Sequence, residues 1–231
     1  MRLRNWMGLG RVLLIAAAVG LAAVGCGGSK DTSQSEKSGE GAVFKKTDTL
    51  KDDRDGQKYR TVKIGEQVWM AENLRFKIDD SWCYGNSEDS CAKYGRLYTW
   101  EAAKKACQSI GMRLPSRQEW EALVTVAGGT NKAGKKLKAK SGWNDYKGWN
   151  DNKGRSGNGT DDFGFSALPG GFSRAGDFND AGNSGLWWTA TEKYSDFAYH
   201  WFIDYSDFVS EESDEEASID EGCGLSVRCV Q

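Results

Sequence analysis

Met112-Arg113-Leu114-Pro115-Ser116-Arg117-Gln118-Glu119-Trp120 leads into Glu121-Ala122-Leu123-Val124 and ends at Gly128-Gly129. Ser116 and Glu119 have capping-box spacing, in which each side chain satisfies the other's orphan backbone N–H at a helix start. Trp120, Leu123 and Val124 then share one face, and the glycine pair stops the helix. Another helix precedes it, from about Trp100 to Ile110. Thr99 is its N-cap, Glu101 stands in its first turn and Gly111 lies just past its end. Trp100, Ala103, Cys107 and Ile110 fall on one side of it.

Outward from these helices the pattern changes to strands. Upstream, Asp55-Gly56 precedes the β-prone run Lys58-Tyr59-Arg60-Thr61-Val62-Lys63-Ile64, and Gly65-Glu66 separates it from Gln67-Val68-Trp69-Met70. A Gly-x pair between two such runs predicts a tight hairpin. Downstream to Gly171 the chain is rich in Gly, Asn, Asp and Lys without sustained periodicity, which predicts long loops. Strand signals then return in Leu186 to Thr191, in Phe197 to Tyr205 with aromatics at alternate positions, and in Leu225 to Val230. Asp207 to Glu221 holds eight acids and no base, the composition of a solvated hairpin loop. The order of elements indicates an α+β domain, with two helices packed on small antiparallel sheets and long loops.

The N-terminus has the layout of a secretory signal: Arg2, Arg4 and Arg11, an uncharged run from Val12 to Val24, and Ala23-Val24-Gly25-Cys26. Its last residues resemble the lipobox of bacterial lipoproteins, with Ala23 where leucine is usual. The resemblance implies that Cys26 is acylated and anchors the protein to the membrane. Loss of residues 1–25 removes three arginines and takes the formal charge from −2 to −5, an acidic body that disfavours nucleic acid as a partner. Residues 26–54 read as a flexible tether, since Gly27 to Glu40 offers no aromatic or aliphatic side chain to bury. The folded body is expected over residues 55–231.

Five stretches carry a family resemblance. They are Val62 to Leu74 (VKIGEQVWMAENL), Tyr94 to Trp100 (YGRLYTW), Met112 to Trp120 (MRLPSRQEW), Gly164 to Gly171 (GFSALPGG) and the closing Ser226-Val227-Arg228-Cys229. In this order they resemble the Fibrobacter succinogenes major paralogous domain, a family of exported bacterial proteins. The Arg-Leu-Pro-x-x-x-Glu-Trp piece is also similar to a helix entry of formylglycine-generating enzymes. The resemblance implies a C-type-lectin-like fold, which by itself assigns no function. It further implies a bridge from an early helix to the final strand, Cys107 with Cys229, and a local clip between Cys83 and Cys91. A Cys223 to Cys229 bridge, leaving Cys107 a thiol, is the alternative.

His200 is the single histidine, which argues against histidine-based triads and metal sites, so no catalytic residue is assigned. Asn144, Asp145, Asn150, Asp151, Asn158, Asp161 and Asp162 offer oxygen donors of the kind calcium takes, yet their spacing matches no calcium loop. Sugar rings present apolar faces that stack on aromatic side chains. Trp143, Tyr146 and Trp149, with Asn150 and Asp151 beside them, are the candidate exposed platform, and loop-pinning is the competing role for the same rings. Trp69, Trp100, Trp120, Trp187 and Trp188 are expected in the core. The expectation is a lipid-anchored outer-membrane or cell-surface module for adhesion to plant or other polysaccharide. The alternatives are a structural or protein-binding envelope lipoprotein and an enzyme on the formylglycine-generating scaffold.

Overall fold

A computed structural model describes residues 47–146, 154–212, 219–220 and 222–231. The chain begins with a three-stranded antiparallel sheet of β1 (Thr47–Lys51), β2 (Lys58–Ile64) and β3 (Gln67–Met70). Ile64 pairs with Gln67 across the expected two-residue turn. Within the segment expected as tether, β1 lies along β2 from Thr47 opposite Val62 to Lys51 opposite Lys58.

Next come β4 (Ser81–Trp82), a 3-10 turn at Tyr84–Asn86, α1 (Glu88–Tyr94) and β5 (Leu97–Tyr98), which pairs with β4. The two expected helices follow as α2 (Trp100–Gln108) and α3 (Arg117–Val126). Thr99 accepts from the Ala102 N–H, and Ser116 with Glu119 forms the complete capping box. Two helices were not expected: α1, and α4 (Thr130–Leu137) in the presumed loop region. The second half holds a hairpin of β6 (Phe172–Arg174) and β7 (Asp177–Asn179), then β8 (Ser184–Tyr194) and β9 (Phe197–Asp204). One edge of β9 pairs with β8, and the other takes β10 (Val209–Glu212) and β11 (Ile219–Asp220) in turn. The fold is α+β, with four α-helices and several small antiparallel sheets among the described residues. Among the described residues no helix is long and apolar enough to cross a membrane.

Tryptophans fill one core cluster. Trp120 from α3 lies 5.0 Å from Trp69 of β3, 5.8 Å from Trp187 of β8 and 6.3 Å from Trp201 of β9, so one ring ties the helix to both sheets. Edge-on and offset rings of this kind add about 0.5–1.5 kcal/mol per pair beyond burial. The C-terminal segment runs through the middle, not as a regular strand but as a series of bridges. Met70 and Leu74 donate their N–H groups to the Cys229 and Val227 carbonyls, Tyr98 and Leu225 exchange both bonds, and Arg113 and Val230 do the same.

Arg228 of this segment is fully buried, and among the described residues no carboxylate forms an ion pair with it. It donates to Asn73 Oδ1 (2.6 Å) and to the carbonyls of Met70 (3.0 Å), Phe165 (2.6 Å) and Ser166 (2.8 Å). Burial lowers its pKa to about 9, so it stays cationic at neutral pH while holding three family stretches together. Cys107 of α2 bridges Cys229 across 122 residues of chain, and Cys83 bridges Cys91. The alternative Cys223 to Cys229 bridge does not form; Cys223 is buried outside both bridges.

Candidate functional site

Among the described residues Trp82 is an aromatic side chain placed to meet a ligand. It lies half-buried on β4, next to the Cys83–Cys91 clip, and lines a depression of about 410 Å³ with Asn86, Ser173, Gly176, Phe178 and Gly222. That volume lies within the range of small-molecule sites. Phe178 of β7 also lines it, and its ring packs on Tyr84 at a centroid distance of 5.4 Å.

The floor is rigid for identifiable reasons. Ser173 and Gly224 exchange two backbone hydrogen bonds of 2.9 Å each. A Cβ on Gly224 would fall 2.3 Å from Ser173 Oγ and 3.4 Å from the Trp82 ring, so only glycine permits this approach. Arg96, 5% exposed, holds the wall from beneath. Its Nε and Nη2 donate to Ser81 Oγ (3.1 Å) and the Ser81 carbonyl (2.9 Å), and its Nη1 lies against both sulfurs of the clip. Trp82 is thus fixed through Ser81 on one side and Cys83 on the other. Among the described residues its indole N–H makes no hydrogen bond and is not one of the buried unpartnered groups, so it can donate to a ligand.

A second depression, of about 400 Å³, forms where three family stretches meet, lined by Arg60, Glu72, Arg75, Lys93, Asp161 and Ser166 among others. Much of its polarity is spent internally. Glu72 pairs with Arg60 (3.1 Å) and Arg75 (4.0 Å), and Asp161 accepts from the Ser166 N–H and hydroxyl at 2.7 Å.

Family-level comparison agrees with this order of motifs. Residues 62–231 match the Fibrobacter succinogenes major domain. The chain belongs to that family. No curated protein and no solved structure matches it. In this Fibrobacter succinogenes major domain, Asn73, Arg96 and Arg228 from three of the quoted stretches do structural work. Asn73 Nδ2 donates to the Tyr94 carbonyl, and its Oδ1 accepts from both Trp187 and Arg228.

Trp143, expected on an exposed platform, is buried at 4% exposure. Its Nε1 donates to the Ala167 carbonyl at 3.0 Å, and the ammonium of buried Lys138 sits 4.9 Å from its ring. The ring pins the loop onto the domain, which corrects the platform expectation for this residue. Tyr146 remains half-buried, packed on Tyr205 at 5.4 Å with Arg155 over its face. Trp149, Asn150 and Asp151, like Cys26, lie outside the described residues.

Three of the candidate calcium donors have their side chains engaged within the protein. Asn158 Oδ1 accepts from the Trp143 N–H, Asn144 donates to Asn183, and Asp161 is held by Ser166. Among the described residues the one close group of three metal-ligating side chains is Cys83, Glu88 and Cys91. Its sulfurs are joined to each other, and the Arg96 cation lies on them, so it is not a cation site. The Trp82 wall was overlooked at the sequence level because Ser81-Trp82-Cys83-Tyr84-Gly85-Asn86 reads as a short irregular link. The available signal was an aromatic on each side of a cysteine, which a local disulfide holds out of the core.

Proposed function

We propose that this domain is the polysaccharide-binding part of an exported protein, tethered to the bacterial outer membrane through acylated Cys26, and that it acts by adhesion without covalent chemistry. The observation that carries the proposal is the rigid depression lined by Trp82 and Phe178. Two aromatic side chains lining one depression suit the apolar faces of pyranose units, and Asn86 and the Trp82 indole N–H suit their hydroxyls. The acidic formal charge of −5 after signal removal favours a neutral glycan over an anionic one. A C-type-lectin-like arrangement is part of the same proposal. It is supported by the bridge from α2 to the C-terminal segment and by the large share of chain in loops.

The test is retention of the full chain on insoluble neutral glycans, with calcium and with a chelator. Wild type is expected to be retained equally in both, because stacking needs no ion. Trp82→Ala is expected to weaken retention about tenfold, equivalent to about 1.4 kcal/mol. Tyr194→Ala removes an aromatic that is 45% exposed at the far end of β8 and should change nothing. Absence of wild-type retention on every glycan, or equal retention of Trp82→Ala, contradicts the proposal.

A further inference from the structure

We propose that the Cys83–Cys91 bridge is a thiol–disulfide exchange site, reduced by a dithiol while the Cys107–Cys229 bridge stays closed. The feature that separates the two bridges is Arg96. Its Nη1 is 3.2 Å from Cys83 Sγ and 3.4 Å from Cys91 Sγ, and its remaining hydrogen bonds go to neutral oxygens of Ser81. The guanidinium is nearly excluded from water. The carboxylate in ion-pair range, Glu88 at 3.9 Å, is 84% exposed and well solvated. A desolvated cation facing two sulfurs stabilises a thiolate there far more than it stabilises a neutral disulfide.

Access and topology agree with the charge. Cys91 lines an open depression of about 300 Å³ together with Gln57, Arg75, Glu88 and Ala92. Cys107 and Cys229 are both 0% exposed in the core, with no cation against either sulfur among the described residues. The clip spans only 8 residues of sequence against 122 for the other bridge, so its opening returns less entropy to the unfolded chain and leaves the fold standing.

A thiolate of the dithiol attacks Cys91 Sγ; the S–S bond breaks, and Cys83 leaves as a thiolate received by Arg96. The second thiol of the reductant loses its proton to solvent and attacks the reductant's own sulfur in the mixed disulfide. Cys91 is released, and the reductant closes as a cyclic disulfide. Two electrons pass from the dithiol to the bridge. This exchange does not depend on the glycan reading, since its readout is the cysteines themselves.

The test titrates the native full chain with dithiothreitol, traps thiols by alkylation and maps them by mass spectrometry. Cys83 and Cys91 are expected to become alkylated at a dithiothreitol concentration at least tenfold below that needed for Cys107 and Cys229. Glu88→Gln, on an exposed side chain that folding tolerates, removes the carboxylate opposing the thiolate and should lower the clip's midpoint about twofold. Arg96→Met should raise it tenfold or more; if that variant fails to fold, Glu88→Gln and the comparison between bridges decide. Simultaneous loss of both bridges, earlier loss of Cys107–Cys229, or an unchanged or raised midpoint in Glu88→Gln overturns the proposal.

Discussion

His200 sits 1% exposed on β9, with the Trp188 ring packed at a steep angle to it at a centroid distance of 6.4 Å and no hydrogen-bond partner for Nδ1 among the described residues. Burial lowers its pKa to about 4, so the folded protein holds it neutral at physiological pH. Unfolded, the same imidazole titrates near 6.5. Between those values the unfolded chain binds a proton that the folded chain refuses. Stability is therefore full above about pH 6.5, falls as the pH drops, and has lost the whole His200 contribution below about pH 4. The expected loss between pH 7 and pH 5 is ~2 kcal/mol, in a window where carboxylates change little. Urea unfolding of wild type against His200→Phe measures it, and the variant should show a nearly flat profile over that range. That this histidine is alone was legible in the composition, but which way it faces was not. Phe197, Tyr199, Trp201, Ile203 and Tyr205 suggest one inward face, whereas Ala198, His200, Trp201 and Ile203 are the buried set. The inward phase changes at His200–Trp201, opposite the irregular register of β8 after Trp188, and alternation alone cannot reveal such a shift.

At the scale of elements, the helices divide by where their cause lies. The starts of α2 and α3 were legible because capping is local chemistry: Thr99, Ser116 and Glu119 act on N–H groups within three residues. The reason for α4 is tertiary. Thr-Asn-Lys-Ala-Gly-Lys-Lys-Leu offers only Ala133, Gly134 and Leu137 to the interior, and Gly134 lowers its intrinsic helicity. A Cβ at Gly134 would come 2.2 Å from the Asp207 carbonyl oxygen and 3.0 Å from Val209, so the glycine lets β10 and the turn before it pack against the helix. Gly134→Ala thus sets two effects against each other. Helix propensity favours alanine by about 1 kcal/mol, and backbone displacement at a 2.2 Å contact costs about 1–3 kcal/mol. Displacement is expected to win, with net destabilisation of up to about 2 kcal/mol, read as a lower urea midpoint with an unchanged slope. α1 was hidden for a related reason, since seven residues held at Cys91 by a disulfide need little intrinsic helicity.

On the scale of the whole molecule, the C-terminal segment from Cys223 to Val230 organises the domain. It is buried throughout, bridged to α2 through Cys229, hydrogen-bonded to residues of β3 and β5, and anchored by Arg228 to the Phe165–Ser166 stretch. Its Gly224 also packs against Ser173 and Trp82, two residues that line the depression, so the segment that closes the fold supports the proposed binding surface. The α+β class and the main strands followed from patterning. The site did not, because Trp82, Phe178 and Gly224 come from three distant segments that only the closed fold brings together. The acidic tract is less uniform than a solvated loop, since its described parts form β10 and β11 on one edge of β9. The most direct measurement of the central claim is a heteronuclear NMR titration of the indole N–H resonances with soluble neutral oligosaccharides. Trp82 Nε1–H should shift saturably while the buried indoles of Trp69, Trp120 and Trp143 stay in place; a saturable binder that leaves Trp82 unmoved, or no binding at all, would contradict it.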